Sequence, residues 1–342
     1  MKAVVFRKHG DAAVLELADL PVPSIGAQDV LVRVKACALN HLDIWVRTGW
    51  PGLKLPLPHT LGSDVAGTVE KVGAEVTDLA AGTEVLVNPG LACGRCDKCL
   101  SGRDNLCRQY RILGENAPGG YAEFVAVPRA NILPKPRALS WAEAACLPLT
   151  FLTAWTMLMR RARLEPGETV LVHAAGSGVG CAAVQIAKLA GARVIATASS
   201  DAKLEKARAL GADHLINYAK SDFLEEVKQI TERRLVDVVF EHVGAATFDK
   251  SVACLPRGGR LVTCGATTGH DVKLDLRVLF FKGISLLGST MGSKGDLFRV
   301  LQLVDEGRLR PVLDRTLPLE KAPEAHRLLE ERAHFGNVVL LP

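Results

Sequence analysis

The strongest constraint on this 342-residue chain is a glycine-rich turn in its middle, Ala174-Ala175-Gly176-Ser177-Gly178-Val179-Gly180. It follows an apolar run, Thr169 to Ala174, and leads into a helix-like stretch, Val179 to Leu189, stopped by Gly191. A turn in this setting presents backbone N–H groups and a helix N-terminus to a pyrophosphate. Gly176, Gly178 and Gly180 do not make a strict G-x-G-x-x-G, because Ser177 stands where the middle glycine would be. Alone, such a turn is often only tight chain reversal. Here it opens a series. Strands are expected at Arg193 to Ala198, Leu215 to Asn217, Val236 to Glu241, Arg260 to Cys264 and Ile284 to Gly288. Helices alternate with them at Asp201 to Leu210, Asp222 to Arg233 and Ala246 to Leu255. Six strands in alternation with helices imply a parallel sheet covered on both faces, with a dinucleotide at its carboxyl edge. Gly176, Ser177, Gly178, Val179 and Gly180 are the expected phosphate-binding residues.

The end of the second strand selects the dinucleotide. An acid there accepts from the ribose 2′-OH of NAD and repels a 2′-phosphate. The segment runs Ala198-Ser199-Ser200-Asp201-Ala202-Lys203, and Asp201 reads as an N-terminal acid of the following helix. A neutral strand end with hydroxyls and Lys203 favours NADP(H) over NAD(H).

The first third has a different rhythm. Lys2 to Phe6, Val14 to Leu17, Val30 to Ala38, Val65 to Val72, Glu84 to Val87 and Tyr121 to Val127 are short apolar or alternating runs punctuated by Pro and Gly. They predict a barrel or sandwich. Two amphipathic helices, Asp296 to Glu306 and Pro323 to Arg332, close the chain. Within the β-rich part lies Cys93-x2-Cys96-x2-Cys99-x7-Cys107. Four thiolates at this spacing close a tetrahedral zinc shell with no position open to substrate. An iron–sulfur run ends C-x3-C-P, which this one does not. Cys37, Cys146, Cys181, Cys254 and Cys264 sit in apolar runs and read as small core residues.

Composition narrows the class further. The chain is 48% hydrophobic and 23% charged, with a formal net charge of +5, which excludes disorder and argues against nucleic acid. No 18-residue apolar window suggests a membrane span, and Met1-Lys2-Ala3-Val4-Val5-Phe6-Arg7 lacks the features of a signal peptide. The expected compartment is the cytoplasm, where thiols stay reduced.

A β-rich first third, the cysteine lobe and the dinucleotide unit, in that order, resemble the medium-chain dehydrogenase/reductase superfamily. The resemblance spans essentially the whole chain. It also rests on Ala36 to Asp43, on Leu61-Gly62-Ser63-Asp64-Val65-Ala66-Gly67, on Leu147 to Trp155 and on Gly211 to Tyr218. It implies an α/β Rossmann coenzyme domain with a six-stranded parallel sheet, residues 150–290, plus a GroES-like β-rich catalytic domain, residues 1–149 and 291–342, carrying the zinc lobe at 93–107. It implies a homodimer, or a dimer of dimers, joined through the last Rossmann strand. By the same resemblance Ser199, Lys203 and Tyr218 hold the 2′-phosphate. Thr153, Val243, Gly265 and Ser289 lie by the nicotinamide half, and Asn337 approaches the phosphates.

Departures from the family pattern carry the functional expectation. In its zinc alcohol dehydrogenases a catalytic zinc takes two Cys and one His. Those positions fall on Asn40, Ser63 and Leu149 or Thr150. The proton-relay positions fall on Leu42 and Trp45. Amides and hydroxyls are poor zinc ligands beside thiolate and imidazole. This region is similar to the zinc-independent quinone oxidoreductase branch, yet the chain retains the four-cysteine lobe. We therefore expect an NADP(H)-dependent reductase of a quinone, enone or related carbonyl, with one structural zinc and no catalytic zinc. Asn40, Asp43 and Trp45 are the candidate catalytic residues. Two alternatives stand beside it. One is a zinc-dependent alcohol dehydrogenase with atypical ligands drawn from His41, His59, Asp43 and Asp64. The other is a protein that binds NADPH without turnover.

Overall fold

Alternating and continuous apolar runs sort this chain into sheets of two kinds, antiparallel-rich and wholly parallel. The computed structural model describes residues 1–342 and divides into two compact units. One comprises Met1–Leu149 and Gly292–Pro342, the other Thr150–Met291. Met291 thus belongs with the second unit. It is buried, and the chain before it still pairs with the sheet through Ser289 N–H on Thr263 O, at 2.8 Å.

In the first unit, strand Asp29–Ala38 is central. It pairs antiparallel with Asp64–Val72, Phe124–Pro128 and Asn337–Leu341. Glu84–Val87, Ile132–Pro134 and Leu313–Pro318 complete a seven-stranded sheet. Lys2–Phe6 pairs with Glu16–Asp19 and His59–Thr60 in a separate three-stranded sheet. Inward-facing Val30, Val32, Val34, Val65, Val69 and Val85 form one core with Phe6, Leu61 and Tyr121. Burying β-branched side chains at period two is what makes these runs strands. Val14 departs from the strand expectation. It ends a single 3-10 turn, Ala12–Val14, because the Asp11 side chain accepts from Ala13 N–H and caps it. The strand expected from Tyr121 begins at Phe124, since the residues before it bridge to Lys2–Phe6 instead, Ala122 opposite Ala3 and Val4 N–H donating to Tyr121 O at 2.8 Å.

In the second unit the six strands are β1 Thr169–Val172, β2 Arg193–Ala198, β3 His214–Asn217, β4 Val238–Glu241, β5 Arg260–Thr263 and β6 Ser285–Gly288. All pairs are parallel and the spatial order is 3-2-1-4-5-6. The order reverses between β1 and β4, which is the switch point where such sheets bind dinucleotides. Leu171, Ile195, Val239 and Leu261 are fully or nearly fully buried, as two-sided helix cover requires. Helix Leu276–Lys282, which sequence reasoning did not anticipate, precedes β6. Cys264, read as a core residue, is only partly buried beyond the end of β5. No helix is long and apolar enough to cross a membrane.

Candidate functional site

The coenzyme half is built by β1 and the turn after it. Ala174 takes φ +45°, and Ala175 N–H donates to Thr197 O across on β2 at 2.9 Å. Ser177 then caps helix Gly178–Leu189, its hydroxyl accepting from Gly180 N–H at 3.0 Å. A Cβ on Gly180 would lie 2.4 Å from Ala174 O and 2.9 Å from Ala175 Cα. The chain therefore wraps so closely that only glycine fits, and the helix N-terminus is left as a cradle for an anion. These residues fit a dinucleotide pyrophosphate.

At the neighbouring strand ends, Ala198 is in register with Asn217. Ser199 and Tyr218 are exposed there, and Ser200 caps helix Asp201–Ala209 by accepting from Lys203 N–H. Asp201 is the first residue of that helix, paired with Lys220 and Asn217. Val243 follows β4, Gly265 follows β5 and Ser289 follows β6, so all three lie at the same carboxyl edge. The Ser289 hydroxyl is buried with no partner in the protein. Thr153 is buried in helix Pro148–Trp155. Asn337 lies in the other unit, buried at the start of strand Asn337–Leu341.

The cysteine lobe is assembled by helix Asp97–Leu100, a 3-10 turn at Asp104–Leu106, and left-handed Gly94 and Gly102. All four sulfurs lie within 4.8 Å of one another, with Cys96–Cys99 at 3.5 Å and Cys93–Cys99 at 3.9 Å. A tetrahedron of thiolates about 2.3 Å from zinc has edges of roughly 3.8 Å. The spacing fits zinc and is too long for any S–S bond. Backbone N–H donation from Arg95 holds the Cys93 thiol down to about 6, so a thiolate is available. Substituting Cys96 with serine removes one ligand. We expect bound zinc, read by elemental analysis, to fall from one per chain to near zero; retention of a full equivalent would show that the ion lies elsewhere.

A third constellation lies in the first unit. Asn40 precedes helix His41–Thr48, and its amide Nδ2 donates to Asp64 Oδ2 at 2.9 Å. Leu149 N–H donates to the other Asp64 oxygen at 2.8 Å. Asp43 accepts from Asn40 N–H at 2.8 Å and Gly62 N–H at 2.9 Å, and also from the Tyr121 hydroxyl. Both carboxyls are essentially fully buried, at 1% and 0% exposure. Burial pushes Asp43 up to about 6 and Asp64 up to about 8. Asn40 alone of the three keeps some exposure, 7%. Asp43, expected as a catalytic group, spends its oxygens on main chain and Tyr121. Its carboxylate holds the Asn40 and Gly62 backbone N–H groups. Trp45 packs edge-on against His41, ring centroids 5.1 Å apart, and is outside this hydrogen-bonded set.

Behind Asp43 runs a chain of contacts that sequence reasoning missed. Arg47 is fully buried and pairs with Glu330. Its Nη1 lies 3.1 Å from His326 Nδ1, and His326 Nε2 lies 3.3 Å from the Tyr121 hydroxyl. Arginine can only donate, so Nδ1 accepts and the His326 proton sits on Nε2. Burial drives the His326 pKa down to about 3, so the ring is neutral. Donation therefore runs one way, Arg47 to His326 to Tyr121 to Asp43.

A family model described as zinc-binding dehydrogenase matches residues 178–306, and one described as alcohol dehydrogenase GroES-like domain matches residues 26–137. An NAD-dependent alcohol dehydrogenase of Sulfurisphaera tokodaii is 35% identical over 337 residues, 96% of each chain. The chain belongs to the medium-chain dehydrogenase/reductase superfamily. It is similar also to a quinone oxidoreductase of Rattus norvegicus, at 30% identity over 100% of this chain and 98% of that protein. A solved structure of an NAD-dependent alcohol dehydrogenase matches with a TM-score of 0.97 at 54% identity, covering 100% of both chains. The relatives' names span two chemistries, so the substrate has to be argued from the site.

For a medium-chain dehydrogenase/reductase with a catalytic zinc, the donor set here does not fit. Ser63 Oγ is buried and donates to Leu113 O at 2.7 Å. The Asn40 amide nitrogen is committed to Asp64, and Leu149 contributes only its backbone. His59 is buried with Nε2 on Gly114 O at 3.1 Å. The four lobe cysteines are the one group of three or more His, Cys, Asp or Glu side chains arranged to hold a metal. His41, His59, Asp43 and Asp64 do not converge into a second.

Proposed function

We propose that this oxidoreductase is an NADP(H)-dependent reductase of quinones, enones or related conjugated carbonyls that works without a catalytic zinc. The observation that carries the reading is that Asn40 and Ser63, at positions where the family resemblance places zinc ligands, are bonded within the protein, Asn40 to buried Asp64 and Ser63 to Leu113 O. When bound, the coenzyme supplies hydride to an electrophilic carbon. The turn Gly176, Ser177, Gly178, Val179 and Gly180 would hold its pyrophosphate. Ser199, Lys203 and Tyr218 would hold a 2′-phosphate, with no acid at the end of β2 to oppose it. Thr153, Val243, Gly265 and Ser289 would border its nicotinamide half, and Asn337 its phosphates. Asn40 orients the substrate, and Trp45 gives an apolar wall.

The electrostatics favour a conjugated acceptor. Reduction places negative charge on an oxygen, and such an acceptor spreads that charge itself, so hydrogen-bond donors suffice. Asp64 holds its proton at neutral pH, which keeps one buried carboxyl from opposing that charge.

The names of the alcohol dehydrogenase relatives support a second reading, zinc-assisted alcohol oxidation with NAD. Zinc quantitation combined with NADPH and NADH oxidation on a quinone, enone and aldehyde panel separates the two. The first predicts one zinc per chain, turnover of quinone or enone, and kcat/KM at least tenfold higher with NADPH. Two zincs per chain, with alcohol oxidation lost on chelation, would overturn it.

We further propose dimerisation through β6, which pairs with β5 on one side only. Leu276, Phe280 and Phe281 beside it are each 64% exposed, an apolar face that an edge strand leaves for a partner. The double substitution Phe280→Glu, Phe281→Glu should give a monomer by light scattering; an unchanged mass would place the contact elsewhere.

A further inference from the structure

The second unit buries one carboxylate that nothing above uses. Glu241 ends β4, at the switch point of the sheet, with 1% exposure. Its Oε1 accepts from Val243 N–H at 2.6 Å and Gly244 N–H at 3.1 Å. Its Oε2 accepts from the Thr247 and Ser251 hydroxyls, both at 2.9 Å. Four donors saturate a carboxylate and favour its ionised, acceptor-only form. Ser251 Oγ lies 2.9 Å from His173 Nε2, and His173 Nδ1 lies 3.2 Å from Thr197 Oγ1. Since Ser251 donates to Glu241, it accepts from His173. The His173 proton is on Nε2, and the Thr197 hydroxyl donates to Nδ1. Burial takes His173 down to about 4, so no cation neutralises the carboxylate.

A buried charge held only by dipoles is costly. Here it fixes one turn, His242-Val243-Gly244. That turn is also stitched to the loop after β5. Thr268 N–H and its hydroxyl both donate to Val243 O at 2.8 Å, and Ala245 N–H donates to Gly269 O at 3.1 Å. Gly244 has φ +91°, and a Cβ there would lie 2.4 Å from Gly269 O. The pyrophosphate cradle follows β1 and the adenosine side follows β2, so the ends of β4 and β5 border the opposite half of a dinucleotide.

We propose that Glu241 is a positioning residue for the nicotinamide half of the coenzyme, acting through the Val243–Gly244 turn. The proposal rests on the coenzyme reading above. Two ligands separate the halves: NADPH, and ADP as a probe of the adenosine–pyrophosphate half alone. For Glu241→Ala we expect the NADPH Kd to rise tenfold or more while the ADP Kd changes less than twofold. Glu241→Gln keeps one oxygen for the two N–H groups, and its amide NH2 can donate to Ser251 if the hydroxyl and imidazole chain reverses. NADPH affinity should then return to within threefold of wild type, and 15N NMR of His173 should show the proton moved from Nε2 to Nδ1. Equal weakening of both ligands by Glu241→Ala, or unchanged NADPH binding, would overturn the positioning role. A wild-type protein that binds neither ligand would instead remove the coenzyme reading.

Discussion

Gly180→Ala should weaken binding of the proposed coenzyme, NADPH, at least about 100-fold, equivalent to about 2.7 kcal/mol. The added methyl meets Ala174 O at 2.4 Å, about 1 Å inside ordinary contact. That oxygen is backbone, so the turn itself must move, and with it the first N–H groups of helix Gly178–Leu189. An anion site made of fixed dipoles depends on their aim. Displacement by about 1 Å therefore removes most of its value. The same methyl lies 2.9 Å from Ser177 Oγ and interferes with the cap. Ser177→Ala is the graded control. It removes the cap but not the space, costs about 1 kcal/mol of helix stability, and lowers affinity only severalfold. Fluorescence titration with NADPH reads both, and thermal melts confirm that the fold persists. A Kd for Gly180→Ala within threefold of wild type would mean that the coenzyme phosphates do not sit on this turn.

That turn was legible because its signal is local. An apolar run, closely spaced small residues and a helix-forming stretch lie within about twenty positions, and five more strands, three of them followed by expected helices, repeat the rhythm. The cysteine lobe was legible for the same reason: zinc coordination fixes the spacing of ligands along a short loop. Helix Leu276–Lys282 was not, since its apolar residues point both ways: Val278 and Leu279 pack on the core while Leu276, Phe280 and Phe281 are exposed, so it lacks the one-sided periodicity that marks a helix packed on a core. The roles within the Asn40 cluster were only half visible. Asn40, Asp43 and Asp64 stand near one another in sequence. The groups that hold Asp43 do not, because Tyr121 and His326 are 205 residues apart and Arg47 and His326 are 279 apart. Nothing local in Arg47 or His326 distinguishes a buried donor from a solvated one; only the sheet that joins the C-terminal strand to Asp29–Ala38 brings them together. Glu241 is similar. Its neighbours Val243 and Gly244 are close in sequence, but His173 and Thr197 reach it through parallel strand pairing.

Asp64→Asn should make the protein progressively more stable than wild type as pH rises. In the unfolded chain Asp64 titrates near 3.8, and in the folded protein near 8. Between those values the folded state holds a proton that the unfolded state has released. Wild-type stability therefore falls with rising pH across this window and levels off above it, by up to about 1.4 kcal/mol per pH unit for one proton. Asp43, raised to about 6, adds to the fall in the lower part of the window. Asparagine carries no proton to lose, so the difference in Tm between variant and wild type should widen from about pH 5 to about pH 9, by several degrees and a few kcal/mol. Activity should follow the same charge. On the proposed chemistry, with substrate at Asn40, wild-type kcat should decline above about pH 8 as Asp64 ionises, and the variant's should not. A Tm difference that stays flat with pH would show Asp64 ionised throughout. A variant that loses bound metal would mark Asp64 as a ligand and favour the zinc-dependent reading. The pH series thus tests the buried acid and the proposed chemistry together.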